Sequence, residues 1–445
     1  MLTPKLVHPL ASVLSRVGFL TLTSAFVLSS DAHAGALENY VTQPDSTYAW
    51  KQTQQRRTNG FTITQLELTS QTWRGHVWKH TLQVVRPEKV RNPGIAFLFI
   101  TGDGRGTSSL GILTTLAERA GALAAVITRV PNQPLYEGRK EDALIAYTFD
   151  QYLKGGDETW PLLFPMTKSA VRAMDAVQAF AQKAYQQKVE TFVVGGASKR
   201  GWTTWLTAAA DPRVKAIAPM VIDMLNMKAQ TAWAEKVYGQ QSDQIHDYVD
   251  LGLVKKMDTP EMARLRGWVD PYSYRARYNM PTLILLGTND PYWTVDALRH
   301  YWYELPEPKL IYQTPNAGHD LAGGKQALQS LAAFYQMIAD GQELPKLTWQ
   351  FADAGKGKAD LKVTVDRPAK SIRLWTADSA DRDFRDEKWT SRDLGISSGS
   401  SHASTEVATP ETGYRAYLVE AVLTSSTGKD YKVSTEARVT PEGIR

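Results

Sequence analysis

Three short segments hold residue types that together can carry out nucleophilic acyl transfer. The first is Gly195-Gly196-Ala197-Ser198-Lys199-Arg200-Gly201, set between an apolar β-type run and a helical stretch. A serine on a sharp strand-to-helix turn is exposed at the end of a sheet, and a glycine before the turn avoids a side-chain clash. Ser198 is the candidate nucleophile. The segment departs from the G-x-S-x-G spacing: Arg200 stands two places after the serine and Gly201 three. A serine needs a base, and the base needs an orienting carboxylate. The apolar run 283–286 leads into Gly287-Thr288-Asn289-Asp290-Pro291, which puts Asp290 just past a strand as candidate acid. Residues 310–313 lead into Pro315-Asn316-Ala317-Gly318-His319-Asp320, with His319 as candidate base. The order Ser, Asp, His leaves 92 residues for an insertion before the acid and 29, one βα unit, before the base.

The oxyanion of such a reaction needs preorganised N–H donors. The backbone of Lys199, after the nucleophile, is one. Gly102 or Asp103, in the loop Thr101-Gly102-Asp103-Gly104-Arg105-Gly106, would supply the other. That loop lacks both the G-K-[ST] ending and the G-x-G-x-x-G spacing of phosphate-binding loops. Ser108 is a rival serine, but it follows the wrong strand for this chain order. Lys199 and Arg200 put two cations beside Ser198. They pair with structural carboxylates, recognise a substrate carboxylate or help with the oxyanion, and Arg200 and Trp202 count as candidate substrate contacts. Glu141 and Asp142 could hold a substrate amine, with solvated helix carboxylates as the favoured alternative. Beyond residue 34 the histidines are His76, His80, His246, His300, His319 and His402. His76 and His80 share a face but lack further ligands nearby, so no metal is expected; His246 falls in the insertion, His300 in a helix and His402 in a loop.

The elements that must position these residues follow from hydrophobic patterning. Residues 61–68 and 78–85 alternate, as antiparallel strands with one solvated face do. Runs 94–100, 122–128, 191–195, 214–219 and 282–286 are continuously apolar, as parallel strands covered on both faces are. Helical patterns at 110–120, 167–184, 203–210 and 326–339 lie between them, which predicts a doubly wound α/β domain. Residues 224–275 interrupt the rhythm with two helices, 224–237 and 259–268. They read as a lid over the strand C-terminal ends, where ligands bind in open α/β sheets. After Pro345, alternating runs at 347–351, 360–365, 371–375, 414–423 and 431–435 predict an immunoglobulin-like β-sandwich, with a Ser-rich loop at 396–404.

The chain has 445 residues, 22% charged and 43% hydrophobic, which is globular composition for two or three domains. Zero cysteines exclude thiol nucleophiles, thiolate metal sites and disulfides. Without its first 34 residues the chain carries 49 Lys+Arg against 45 Asp+Glu, or +4. So weak an excess, with no basic run, gives nucleic-acid binding no support. Thirteen Trp and 19 Tyr suit an aromatic-lined cleft, although most such residues are core or edge residues. Lys5 and Arg16 precede an apolar stretch at 17–28 and then Ala32-His33-Ala34, the pattern of a secretory signal peptide. Cleavage near Ala34 and a periplasmic or secreted protein are expected. Twelve residues are too few to span a bilayer, and no later segment is long and apolar enough.

At 196–205, Gly-Ala-Ser-Lys-Arg-Gly-Trp-Thr-Thr-Trp, the sequence resembles the PhoPQ-activated pathogenicity-related protein family. Residues 40–50, 141–148, 160–162, 165–166, 168–175 and 269–275 extend the match over most of the chain. The resemblance implies an exported α/β-hydrolase-like protein with a C-terminal β-domain, and little about its substrate. The Ser-Lys-Arg-Gly elbow is also similar, locally, to that of glucuronoyl esterases. The expected organisation is a signal peptide at 1–34, an α/β-hydrolase domain at 35–344 with its lid at about 224–275, and a β-sandwich at 345–445. The expected activity is a cofactor-independent serine esterase acting on a small-molecule, carbohydrate-ester or peptide substrate. A dipeptidyl-peptidase-like enzyme and a non-catalytic binding or signalling protein are the alternatives.

Overall fold

The computed structural model describes residues 31–104, 106–355, 357–395 and 401–444. The apolar leader expected at 17–28 lies outside them. The chain opens with α1 (Asp31–Thr42) and three antiparallel strands, β1 (Ala49–Thr58), β2 (Phe61–Trp73) and β3 (His76–Pro87). The α/β core follows as β4 (Ile95–Ile100), α2 (Leu110–Ala120), β5 (Leu123–Ile127), α3 (Glu141–Gly155), α4 (Leu163–Tyr185), β6 (Thr191–Ala197), α5 (Lys199–Ala210) and β7 (Val214–Met220). After an insertion holding α6 (Met227–Tyr238), α7 (His246–Asp250) and α8 (Pro260–Val269), the core closes with β8 (Thr282–Gly287), β9 (Lys309–Thr314) and α9 (Lys325–Ala339).

All nine strands form one sheet in the order β1-β2-β3-β5-β4-β6-β7-β8-β9, parallel from β5 to β9. This is an α/β-hydrolase fold. The unbroken apolar runs exist because both faces are covered. Alternate residues Phe97, Val193, Ala216 and Leu283 join the core under α2 and α9, whereas Leu98, Val194, Ile217 and Ile284 join the core under α4 and α5. β1 escapes a pattern reading because it is exposed almost throughout, and its Ala-Trp-Lys-Gln-Thr-Gln-Gln-Arg-Arg-Thr sequence has no apolar face.

The insertion between β7 and β8 is helical, with boundaries shifted from the pattern. Asn226, at φ 65°, precedes α6, so the helix starts at Met227 rather than 224. Thr259 caps α8, accepting a hydrogen bond from the Met262 N–H, with Pro260 in the first turn. The short α7 is an addition. Among the described residues no helix is long and apolar enough to cross a membrane.

C-terminal strands β10 (Leu347–Gly355), β11 (Lys358–Val365), β12 (Ser371–Ser379), β13 (Thr390–Asp393), β14 (His402–Ala408), β15 (Tyr414–Thr424), β16 (Asp430–Ser434) and β17 (Arg438–Thr440) form two antiparallel sheets. One is β10-β11-β14; the other is β13-β12-β15-β16, with β17 also paired to β15. His402 is the first residue of β14, not part of a loop, and pairs in register with Thr364. A mostly polar sequence suits β14 because only Val407 in it is buried. The sheets share an apolar core with each other and with the α2/α9 face. Hydrogen bonds tie them there: Ser434 Oγ accepts from the Gln313 N–H at 2.9 Å, and Ser330 Oγ donates to the Lys432 carbonyl at 2.8 Å.

Candidate functional site

β6 ends at Ala197 and α5 begins at Lys199, so Ser198 alone makes the turn, at φ 56° and ψ −126°. A non-glycine residue there is strained and persists only when its surroundings impose it. The Ser198 N–H donates to the Met220 carbonyl at 2.9 Å, anchoring the elbow to β7. The displaced glycine has a packing reason. A Cβ on Gly196 would lie 2.6 Å from the Arg200 carbonyl oxygen, and one on Gly201 2.9 Å from the carbonyls of Gly196 and Met220. Close approach happens at the third position after the serine, so that position is the glycine.

β8 and β9 bring the other two residues together. His319 Nδ1 lies 2.8 Å from Asp290 Oδ2, and Asp290 is buried. The Tyr292 N–H donates to the second Asp290 oxygen at 3.0 Å, and the Tyr292 ring stacks on His319 at 4.4 Å between centroids. His319 Nε2 is shielded from solvent and has no hydrogen-bond partner among the described residues. One ring nitrogen is thus held by a carboxylate while the other is free to take a proton.

The remaining candidates fall into two ion-pair groups. Arg200 is buried; both of its terminal nitrogens lie 2.6 Å from Glu141 oxygens, and its Nε–H donates to the Val130 carbonyl at 2.6 Å. A Cβ on Gly102 would sit 2.3 Å from this guanidinium, so Arg200 braces the loop expected to form the oxyanion hole. Three of its donors are thus committed inside the protein, which favours the structural-pairing reading of Arg200. Glu141 also accepts from Gln133 at 2.6 Å. Burial would raise the Glu141 pKa, but hydrogen bonds and charge from Arg200 outweigh it and hold the carboxyl below its usual value. Both of its oxygens are already paired with Arg200. Asp142 is 2.7 Å from Lys199 Nζ and accepts from the Tyr248 hydroxyl at 3.0 Å. Burial works against the Lys199 charge, yet the Asp142 charge and hydrogen bond prevail and raise its pKa. The Trp202 indole N–H donates to the Val269 carbonyl, leaving its ring to face a cleft. Asp103 Oδ2 accepts from Gln133 at 3.1 Å. The Lys199 backbone N–H heads α5, among the first-turn donors that have no partner within the helix.

Patterns did not single out the residues that hold the loops. Asn289, just before Asp290, donates its side-chain amide to the carbonyls of Phe384 at 3.0 Å and Glu387 at 2.7 Å. Asn316, three residues before His319, exchanges two hydrogen bonds with the Trp389 backbone, at 2.9 and 2.8 Å. Buried Arg382 pairs with buried Asp296 at 2.9 Å, and Asp296 accepts from Trp233 of α6 at 3.0 Å. The C-terminal region therefore touches the acid loop, the base loop and the lid. An asparagine beside each candidate residue was the one available sign, and it named no partner. Asp223, after β7, was also missed. It accepts from the Tyr301 hydroxyl at 2.6 Å. Burial, reinforced by the charges of Asp290, Asp296 and Glu436, raises its pKa to about 8 against the hydrogen bond.

A family model described as PhoPQ-activated pathogenicity-related protein matches residues 37–385. The chain is 34% identical over 425 aligned positions to Autocrine proliferation repressor protein A of Dictyostelium discoideum, covering 86% of this chain and 85% of that protein. Among solved structures it resembles an acetyl xylan esterase from Paenibacillus sp. R4, with a TM-score of 0.50 and 16% identity over 68% of this chain and 94% of that one. Acetyl Xylan Esterase 1 from Thermoanaerobacterium sp. JW/SL YS485 is alike at TM-score 0.50, with 14% identity over 68% and 93%. At such identities these structures speak for the fold alone.

Proposed function

The chain belongs to the PhoPQ-activated pathogenicity-related protein family, and from that premise and the site geometry we propose that it is an exported serine hydrolase cleaving an ester bond. The observation that carries this reading is the 2.8 Å pair of His319 Nδ1 with buried Asp290, its Nε2 unpartnered among the described residues, together with an elbow that holds Ser198 at positive φ. Ser198 Oγ attacks the carbonyl carbon as His319 Nε2 takes its proton, and Asp290 stabilises the imidazolium. The oxyanion is met by the N–H of Lys199 and one from Gly102 or Asp103. The tetrahedral intermediate collapses, His319 returns the proton to the leaving alcohol, and water releases the acyl group by the same route. Esters are favoured over amides because Glu141 and Asp142, the candidate anchors for a peptide amine, are already paired with Arg200 and Lys199. The leader pattern at 1–34 supports export.

A fluorophosphonate probe should label the protein lacking residues 1–34 and leave the Ser198→Ala variant unlabelled. Absence of label, with a control hydrolase reacting, would refute the catalytic reading. The relative's description as a proliferation repressor favours a second reading, an extracytoplasmic signalling protein on a hydrolase scaffold. That reading expects Ser198→Ala to restore the phenotype of a strain lacking the protein as fully as the unaltered chain does.

A further inference from the structure

We propose that the cleft beside Ser198 selects esters by an apolar alkyl or aryl group lodged under the lid, rather than by sugar hydroxyls or a uronate carboxylate. The proposal rests on the hydrolase reading and adds a substrate class to it. Phe149, Trp202, Leu253, Met257, Met262 and Leu265 wall the cleft, and Ser198 lies at its border. Four of the ten methionines line it, which gives a wall that adapts to chains of different shape.

Most of the polar groups along this wall have partners within the protein; Arg266 Nε and Trp293 Nε1 are the buried exceptions among the described residues. Asp142 is held by Lys199 and Tyr248. The Gln230 amide donates to the carbonyls of Leu225 at 3.2 Å and Ala297 at 3.1 Å, and Arg266 donates to the Met257 carbonyl at 3.2 Å. The Trp202 N–H is spent on Val269. A sugar hydroxyl entering here would give up water for few open partners on a mainly apolar wall, whereas an alkyl chain buries apolar area. Two cations line the cleft: Lys199 is neutralised at 2.7 Å by Asp142, with which a uronate carboxylate would have to compete, and Arg266 is engaged by the Met257 carbonyl.

The test is turnover of p-nitrophenyl acetate, butyrate, hexanoate and octanoate by the protein lacking residues 1–34, beside a methyl glucuronate ester. The expected result is kcat/KM rising about threefold to fourfold per added methylene up to a chain-length limit, with the uronate ester poorest. Met257→Trp should lower the ratio of octanoate to acetate turnover. Acetate as the best acyl group, a flat series or a preferred uronate ester would each overturn the substrate class while leaving the serine hydrolase intact. Binding of methyl octanoate to Ser198→Ala, read by tryptophan fluorescence, separates the two failures. Binding without turnover in the unaltered protein keeps the apolar cleft and sinks the hydrolase; neither binding nor turnover overturns both.

Discussion

Ser70 and His80 lie 2.9 Å apart in the core between β2 and β3, while Ser198 and His319 each follow the C-terminal end of a parallel strand, β6 and β9. His80 has both ring nitrogens occupied, Nε2 by Ser70 and Nδ1 by the Thr128 carbonyl at 2.9 Å. Ser70 is also 3.1 Å from Ser169, and Gln71 donates to the Pro165 carbonyl beside it. Burial pushes the His80 pKa down to about 4, so it is neutral at ordinary pH. His319 instead pairs with a carboxylate and keeps Nε2 unpartnered. A satisfied serine–histidine bond is a core hydrogen bond that cross-links elements. Chemistry needs the opposite: a carboxylate to stabilise an imidazolium, a vacant nitrogen, and a serine on a strained turn beside a cleft.

Ways to break this contrast begin with the largest effect. Ser198→Ala and His319→Ala should each lower kcat by about 10⁴-fold or more with the melting temperature little changed. Steady-state kinetics paired with calorimetry reads both, and a loss that tracks unfolding would place His319 with His80. Asp290→Asn should cost kcat about 10⁴-fold at unchanged KM; a mild effect would remove the feature that separates the two histidines. Asn316→Ala frees the base loop from Trp389, and a small misplacement of His319 is expected to cost about 10²-fold in kcat. Unchanged kinetics would mean the C-terminal contacts do not position the site.

Asp223 tests the role of burial, because it is as enclosed as His80 yet feels the charge of Asp290. Its folded pKa of about 8 lies above the unfolded carboxylate value, so the folded state holds the extra proton between them. Its stabilising contribution is complete below about pH 4 and is lost as pH rises through about 8. Asp223→Asn should reduce the stability difference between pH 5 and pH 8 by on the order of 3 kcal/mol, read from denaturant midpoints at the two values. An unaltered difference would show that Asp223 is not the group responsible. The smallest effect is expected at the first pair: Ser70→Ala should cost about 1–3 kcal/mol of stability by unpairing buried His80, with kcat unaffected.

Regions built from contacts near in sequence were the legible ones. The parallel strands appeared as unbroken apolar runs because each is covered on both faces, and the Ser198 elbow appeared because strand, turn and helix are adjacent. β1 was hidden by its exposure, and β14 by serines and threonines that an exposed strand tolerates. Arg200 and Glu141, 59 residues apart, left substrate contact and structural pairing open as readings until folding joined them in a part-buried ion pair.

The sequence by itself determined the doubly wound core, the helical insertion, the C-terminal β region and the order of Ser198, Asp290 and His319, because periodicity and turn chemistry act over a few residues. Only the tertiary structure decided which histidine keeps an open nitrogen, which charged groups beside Ser198 are already paired, and that the C-terminal region grips both loops of the site. Those outcomes depend on partners such as Thr128 for His80, Glu141 for Arg200 and Trp389 for Asn316. Burial and hydrogen-bond satisfaction arise only when segments distant in the chain exclude water between them.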